Sequence, residues 1–273
     1  MAERPTVLTT GANSGIGLAT AIEMARRGWR SVGTVRSEEK ADVLVRAASD
    51  AGVEVIPALL DVTDVEGCAE VVRRHGPKAV VNNAGFSITG AVEDVPDEEA
   101  RHALETMVVA PMRLARLALP GMREQGGGRI VNVSSIYGVA TTPLTGWYQG
   151  CKHAVEALSD ALRAEVARSG VKVVLIEPGG FRTGIWEEFN REMERRAGSS
   201  YEPSYRRGML GTRLAQPVMG QPSQVARVIA RAVTSRAPRA RYLVGYDAQA
   251  AAVATRVTPT VIKDRVSRLI LGL

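Results

Sequence analysis

Two side chains stand at a spacing that could move a proton. Tyr148 and Lys152 lie four positions apart in Tyr148-Gln149-Gly150-Cys151-Lys152, and on a helix that spacing puts a phenol and an ammonium on one face, one turn apart. A phenol titrates at about pH 10 when unperturbed; a neighbouring cation favours its anion, so the pair could exchange protons near neutrality. Thirteen positions before the tyrosine, at the end of a β-rich run, stand Ser134-Ser135. Tyr and Lys at this spacing also fall by chance on solvated helix faces, so the surrounding elements decide between chemistry and surface.

Those elements alternate. Short apolar runs at Val7-Leu8-Thr9, Arg30 to Val35, Val53 to Leu59, Ala79-Val80-Val81, Arg129 to Val133, Val171 to Ile176 and Tyr242-Leu243-Val244 predict strands. Between them, apolar residues at helical spacing predict helices over Ile16 to Arg27, Glu38 to Ala51, Asp97 to Met122, Gly146 to Arg168 and Val225 to Val233, the last begun by Pro222-Ser223. This pattern predicts a single α/β domain over residues 1–273, a doubly wound, Rossmann-type parallel sheet of about seven strands with helices on both faces. From Gly184 to Gln221 the alternation breaks down. An insertion of that length, carrying Trp186, Phe189, Met193, Tyr201, Tyr205, Met209 and Leu210, is expected to be a substrate lid or an excursion with its own small core.

In such a sheet, ligands sit at the carboxyl ends of the strands. The first strand runs into Thr10-Gly11-Ala12-Asn13-Ser14-Gly15-Ile16-Gly17, where glycines let the backbone turn and approach a pyrophosphate on the helix N-terminus. The spacing GxxxGxG departs from the common GxGxxG. After the second strand, where an acid would bind the ribose hydroxyls of NAD, stand Val35 and Arg36. A guanidinium there can grip a 2′-phosphate, so NADP is favoured over NAD. Asp61-Val62 and Asn82-Asn83-Ala84-Gly85 follow the third and fourth strands, where they would line the same crevice.

With these motifs in this order, the chain resembles the short-chain dehydrogenase/reductase family over nearly its whole length, from Thr10-Gly11 through Asn83-Ala84-Gly85, Ser135, Tyr148 and Lys152 to Pro178-Gly179-Gly180-Phe181-Arg182-Thr183. The resemblance implies that Tyr148 donates a proton to the substrate oxygen, that Lys152 lowers its pKa and binds the nicotinamide ribose, and that Ser135 hydrogen-bonds the reacting oxygen. It implies a cofactor site made by Gly11, Ser14, Gly15, Ile16, Gly17, Arg36, Asp61, Val62, Asn83, Ala84, Gly85, Tyr148, Lys152, Pro178, Gly179, Phe181 and Thr183. Asp61 and Val62 would flank the adenine, Asn83 and Gly85 the adenosine ribose, and Phe181 and Thr183 the nicotinamide. One position departs from the family: Met107 stands where an Asn usually completes the proton relay, with Thr106 beside it as a substitute hydroxyl.

The expected activity is therefore NADPH-dependent interconversion of a carbonyl and an alcohol on a bulky, apolar small molecule, similar to the branches that act on steroids, retinoids or aldehydes. The alternative, motivated by Met107, is a non-catalytic NADP-binding redox sensor; retention of Ser135, Tyr148 and Lys152 together counts against it. Composition excludes other classes. Two distant cysteines, Cys68 and Cys151, and three histidines without paired-ligand spacing suggest neither a disulfide framework nor a metal site. No apolar run approaches the roughly 20 residues of a membrane span and the first residues lack a signal-peptide core, which predicts a cytoplasmic protein. From Arg231 to Leu273 there are eight Arg or Lys against two Asp, a difference of +6 that equals the whole-chain net charge. That basic tail lacks the interleaved aromatics of a nucleic-acid binder, and no nucleic-acid partner is expected. Val261, Ile262, Val266, Leu269, Ile270 and Leu273 share a helical face opposite Lys263, Arg265 and Arg268. That face is expected to dock on the body or on a partner subunit of a homo-oligomer, with membrane-surface contact the less favoured outcome.

Overall fold

A computed structural model describes residues 4–273. Seven strands form one wholly parallel sheet: β1 (Thr6–Thr9), β2 (Arg30–Val35), β3 (Ile56–Leu59), β4 (Ala79–Asn82), β5 (Gly128–Val133), β6 (Val171–Pro178) and β7 (Arg241–Val244), in the order β3-β2-β1-β4-β5-β6-β7. The order reverses between β1 and β4, so the crevice that a doubly wound sheet offers a dinucleotide opens there. The central strands are apolar on both faces because helices cover both. One layer packs Leu8, Val80 and Ile130 against Leu114, Ala118 and Met122; the opposite layer packs Val7, Val81, Val131 and Val174 against Met24, Val225 and Ile229.

The helices are α1 (Gly15–Arg26), α2 (Glu38–Asp50), α3 (Val65–His75), α4 (Asp97–Leu104), α5 (Ala110–Glu124), α6 (Gly146–Glu165), α7 (Ile185–Arg195), α8 (Glu202–Ala215), α9 (Pro222–Thr234), α10 (Tyr246–Val257) and α11 (Thr260–Leu271). Periodicity places neither α3 nor α10. The first is short and charge-rich, and it is fixed by its ends: Asp64 caps the N–H groups of Glu66 and Gly67, and Gly76 closes it in the left-handed conformation. The long helix expected from Asp97 is continuous but not uniform. Between α4 and α5 the chain makes a π turn over Glu105–Val109. Pro111 has no N–H to give the carbonyl of Met107 in α register, and widening the helix accommodates that loss.

The irregular stretch is helical rather than loop, since α7 and α8 lie within it. Met193 and Tyr205 are buried there with Ala91 and Leu144, and Phe189, Tyr201, Met209 and Leu271 pack around them. Much of its apolar content is thus its own core, the second of the two expectations, and Leu271 draws α11 against it. Of the two docking places expected for the other face of α11, the body is not the one: Val261, Ile262, Val266, Leu269, Ile270 and Leu273 are all exposed. Among the described residues no helix is long and apolar enough to cross a membrane.

Candidate active site

The β1–β4 end of the crevice is built from backbone. Gly11 and Gly15 both have positive φ, +65° and +53°, which only glycine adopts without strain. At Gly17 a Cβ would lie 2.1 Å from the carbonyl oxygen of Gly11 and 2.5 Å from Asn83 Nδ2, so α1 can sit against the turn only without a side chain. The first turn of α1 has no acidic residue, and Ser14 at its N-cap makes no side-chain cap, so the helix's leading N–H groups are left for a ligand. Thr10 fastens the turn to the neighbouring loop: its hydroxyl accepts from the N–H of Asn83 at 3.0 Å and of Ala84 at 2.9 Å. Asn83 Nδ2 donates back to the carbonyls of Thr10 and Gly11 at 2.9 and 3.3 Å. The Asn83 carboxamide thus ties two loops together, a part the resemblance does not assign to it.

Arg36 is exposed at the end of β2 and forms no ion pair among the described residues. Its field is one of the influences that hold the Asp61 carboxyl below its ordinary range against the opposing effect of burial; hydrogen bonds from the Thr63 N–H and hydroxyl, at 2.9 and 2.7 Å, are larger ones. Val62 departs from its expected place, because its side chain is buried in the core under α5 and its carbonyl accepts from Arg113 at 3.1 Å. Phe181 departs likewise. Its ring is buried against β6 and α9, and its carbonyl accepts from Trp186 Nε1 at 2.8 Å. Thr183 does reach the glycine turn, its Cγ2 lying 3.2 Å from the point where a Gly15 Cβ would stand. Pro178 ends β6; beyond it Gly179 donates to the Val244 carbonyl, and Gly180 donates to Asp247 Oδ2 at 2.5 Å.

The β5–β6 end is built from side chains. β5 ends at Val133, and Ser135 opens a 3-10 turn over Ile136–Gly138, its hydroxyl accepting from the Tyr137 N–H at 3.2 Å. Tyr148 and Lys152 follow on α6, one turn apart as the spacing predicts. The three converge. Lys152 Nζ lies 5.5 Å from the Tyr148 ring centre and donates to the Val133 carbonyl at 2.9 Å, and the Ser135 hydroxyl is near enough to the Tyr148 phenol to favour its ionised form.

Burial dominates the electrostatics here. It pushes the Tyr148 phenol up to about 12, with only the Ser135 hydrogen bond pulling it down. It pushes the Lys152 ammonium down to about 8, with Cys151 and Glu156 holding it up. Of the groups around Tyr148, Ser135 is the one that opposes burial and favours the phenolate. At neutral pH the pair rests as phenol and ammonium, which is the state that can donate a proton and then be resupplied.

Met107 is 1 % exposed, and its sulfur stands 3.4 Å from where a Gly85 Cβ would be. Thr106 does not substitute for the missing carboxamide: its hydroxyl is buried without a partner in a small cavity lined by Thr10, Val62, Asn82, Ala84, Ala110, Pro111 and Leu114. Sequence reasoning missed Glu156. It continues the stripe of Tyr148 and Lys152 at spacing four, with Asp160 next, and that repetition was the available signal. Glu156, Asp160 and Glu177 all pair with Arg241 of β7.

The segment carrying α7 and α8 is anchored to the loop after β4. Arg196 donates to the carbonyls of Thr89 and Asp94, both at 2.7 Å, and pairs with Glu99 at 2.6 Å. The Tyr205 hydroxyl bonds Asp94 and accepts from the Ala91 N–H at 2.8 Å.

Comparison with known proteins agrees with this geometry. The sequence model described as short chain dehydrogenase matches residues 5–194. An uncharacterized oxidoreductase of Bacillus subtilis, YusZ, is 35% identical over 237 residues, 84% of each chain. Retinol dehydrogenase 7 of Rattus norvegicus is 32% identical, covering 95% of this chain and 86% of its own. A solved structure of a variant actinorhodin polyketide ketoreductase with NADPH superposes with a TM-score of 0.77 at 30% identity, covering 90% of this chain and 97% of that one.

Proposed function

Because the chain belongs to the short-chain dehydrogenase family of oxidoreductases, we propose that it is an NADPH-dependent enzyme interconverting a carbonyl and an alcohol on a bulky, apolar small molecule. The observation that carries this reading is the meeting of Ser135, Tyr148 and Lys152 at the end of β5, with phenol and ammonium both in the state that supplies a proton. NADPH, when bound, supplies the hydride. The residues fit it. The uncapped start of α1 and the glycine turn would hold the pyrophosphate, Arg36 the 2′-phosphate, and Lys152, Tyr148 and Thr183 the nicotinamide end. The solved ketoreductase with NADPH supports that cofactor, and the retinol dehydrogenase relative supports an apolar alcohol or carbonyl.

In reduction, Ser135 holds the substrate oxygen while Tyr148 gives it a proton. Lys152 then returns a proton to the phenolate. The half-buried Trp186 and Phe189, 6.0 Å apart edge to face, offer the substrate an apolar wall on α7. Residues 1–273 would form one domain that both binds the dinucleotide and does the chemistry, working in the cytoplasm without nucleic acid. The uncovered apolar face of α11 supports a homo-oligomer. Consumption of NADPH across a panel of ketones and aldehydes tests the reading: turnover of at least one bulky apolar carbonyl is expected. Tight NADPH binding with no turnover of any member would favour the redox sensor instead.

A further inference from the structure

The turn that follows β6 is held from three sides. At its start the Gly179 N–H donates to the Val244 carbonyl of β7 at 2.9 Å. On a second side the Gly220 N–H donates to the Gly180 carbonyl at 3.0 Å, and the Arg182 N–H donates to the Gly220 carbonyl at 2.9 Å. The third side is an acid. Asp247, in the first turn of α10, accepts from the Gly180 N–H through Oδ2 at 2.5 Å, and the fully buried Ala248 beside it fixes that end of the helix to the body. The carboxylate fills the places where neighbouring side chains would stand: a Cβ at Gly179 would lie 2.2 and 2.3 Å from its two oxygens, and one at Gly245 would lie 2.4 Å from Oδ1. Two glycines thus let this acid lie flat against the backbone.

These bonds decide what the turn offers a ligand. Gly180 and Arg182 face Gly220 in a parallel bridge, so the N–H and carbonyl of Phe181 between them point to the opposite side. Its carbonyl takes the Trp186 indole N–H at 2.8 Å, and its N–H has no partner among the described residues. A buried amide without a partner is costly, which makes this one a donor for a bound group. Two residues on, Thr183 lies beside Gly15 at the start of α1. Asp247 also stands on the side of the crevice that holds the proton donor: its charge disfavours the Tyr137 phenolate, and the Tyr137 ring meets the Tyr148 ring edge to face at 6.4 Å.

We propose that Asp247 is a positioning residue for the nicotinamide half of the cofactor: by fastening Gly180 from α10, it fixes the turn that brings the Phe181 N–H and Thr183 to that half. The inference rests on the reading of NADPH as cofactor. A carboxylate suits the task because its hydrogen bond to an N–H is stronger than a neutral one, and because an anion in the first turn of a helix is favoured by the helix's own field. Asp247 is exposed and forms no ion pair among the described residues, so its removal breaks the tie to Gly180 without orphaning a cation.

The test uses two ligands. 2′-Phospho-ADP-ribose keeps every part of NADPH except the nicotinamide, and calorimetric titration of both reads that half alone, with no need of turnover. Asp247→Ala should weaken NADPH about tenfold, the low end of what a hydrogen bond to a charged group is worth, and keep 2′-phospho-ADP-ribose within about twofold of wild type. Asp247→Asn retains an acceptor oxygen and should lose no more than about threefold for NADPH. Gly179→Ala drives a methyl into the carboxylate and should reproduce the Asp247→Ala loss; added to Asp247→Ala it should cost little more, because the space is then free. A role confined to starting α10 would lower Tm and leave the ratio of the two affinities at the wild-type value. That result, equal losses for both ligands, or full additivity of the two substitutions overturns the proposal. A wild type that binds neither ligand overturns the NADPH reading, and the proposal falls with it; a wild type that binds both, with an unmoved ratio in Asp247→Ala, overturns the proposal alone.

Discussion

Along the carboxyl edge of the sheet, the half around β1 and β4 presents backbone, while the half around β5 and β6 presents side chains. In the first, glycine φ values, an uncapped helix start and the Thr10–Asn83 ties leave N–H groups exposed to a ligand, with Arg36 beside the Asp61 carboxylate at its edge. In the second, the working groups are a phenol and an ammonium whose burial displaces both from their ordinary values in opposite directions. The contrast suits the tasks. A pyrophosphate is recognised in nearly the same way at rest and during reaction, so rigid backbone suffices. A proton must be held and then released, which needs side chains that titrate rather than fixed backbone.

If that division holds, changes in the second half should alter rate and spare binding. The largest effect is expected from Tyr148→Phe, which deletes the proton donor and little else. Turnover should fall by at least about a hundredfold, the lower bound for loss of a general acid, with NADPH affinity kept. Stopped-flow kinetics beside a fluorescence titration of NADPH would check it; near-normal turnover in the Phe variant would show that the side-chain half is not where the proton comes from.

Changes in the first half should do the reverse. Arg36→Ala should weaken NADPH by about 1.5–3 kcal/mol, the range for hydrogen bonds to a charged group, and leave NADH nearly unchanged. The guanidinium is exposed and has no ion pair to break among the described residues, so folding stability should not move. Calorimetric titration with both cofactors decides it, and equal losses for the two would remove Arg36 from the 2′-phosphate and blur the division.

The two halves also differ in how well the sequence announces them. Glycines in a turn, an Arg after a strand and a Tyr–Lys pair at helical spacing are local signals, and each lies where it was expected. Strand order follows from alternation and handedness, so the sheet was legible too. What could not be read depends on contacts between distant segments. Phe181 and Val62 look like crevice residues in the chain, yet their side chains turn into the core because α9 and α5 cover them. α7 and α8 were hidden because their apolar residues serve a small core shared with Ala91 and Leu144, which lie far back in the chain. Glu156 acquires its meaning only when β7 brings Arg241 beside it.

The smallest effect is expected where the halves meet, at Met107. In the family the chain resembles, the relay water is held through the backbone carbonyl at this position, and any side chain leaves a carbonyl in place. The feature that shapes the helix there is also independent of the side chain: Pro111 removes the donor that α register would supply, and the π turn over Glu105–Val109 follows. A carboxamide put in place of the thioether would sit beside Gly85 in a pocket now filled by sulfur, gaining a polar contact at the cost of packing. Met107→Asn should therefore change kcat by tenfold or less, about 1.4 kcal/mol in barrier height. Steady-state kinetics on both proteins with one shared substrate measure it. A wild type that is inert until Asn is installed, and then rises more than about a hundredfold, some 2.7 kcal/mol, would place the proton supply back on the π turn.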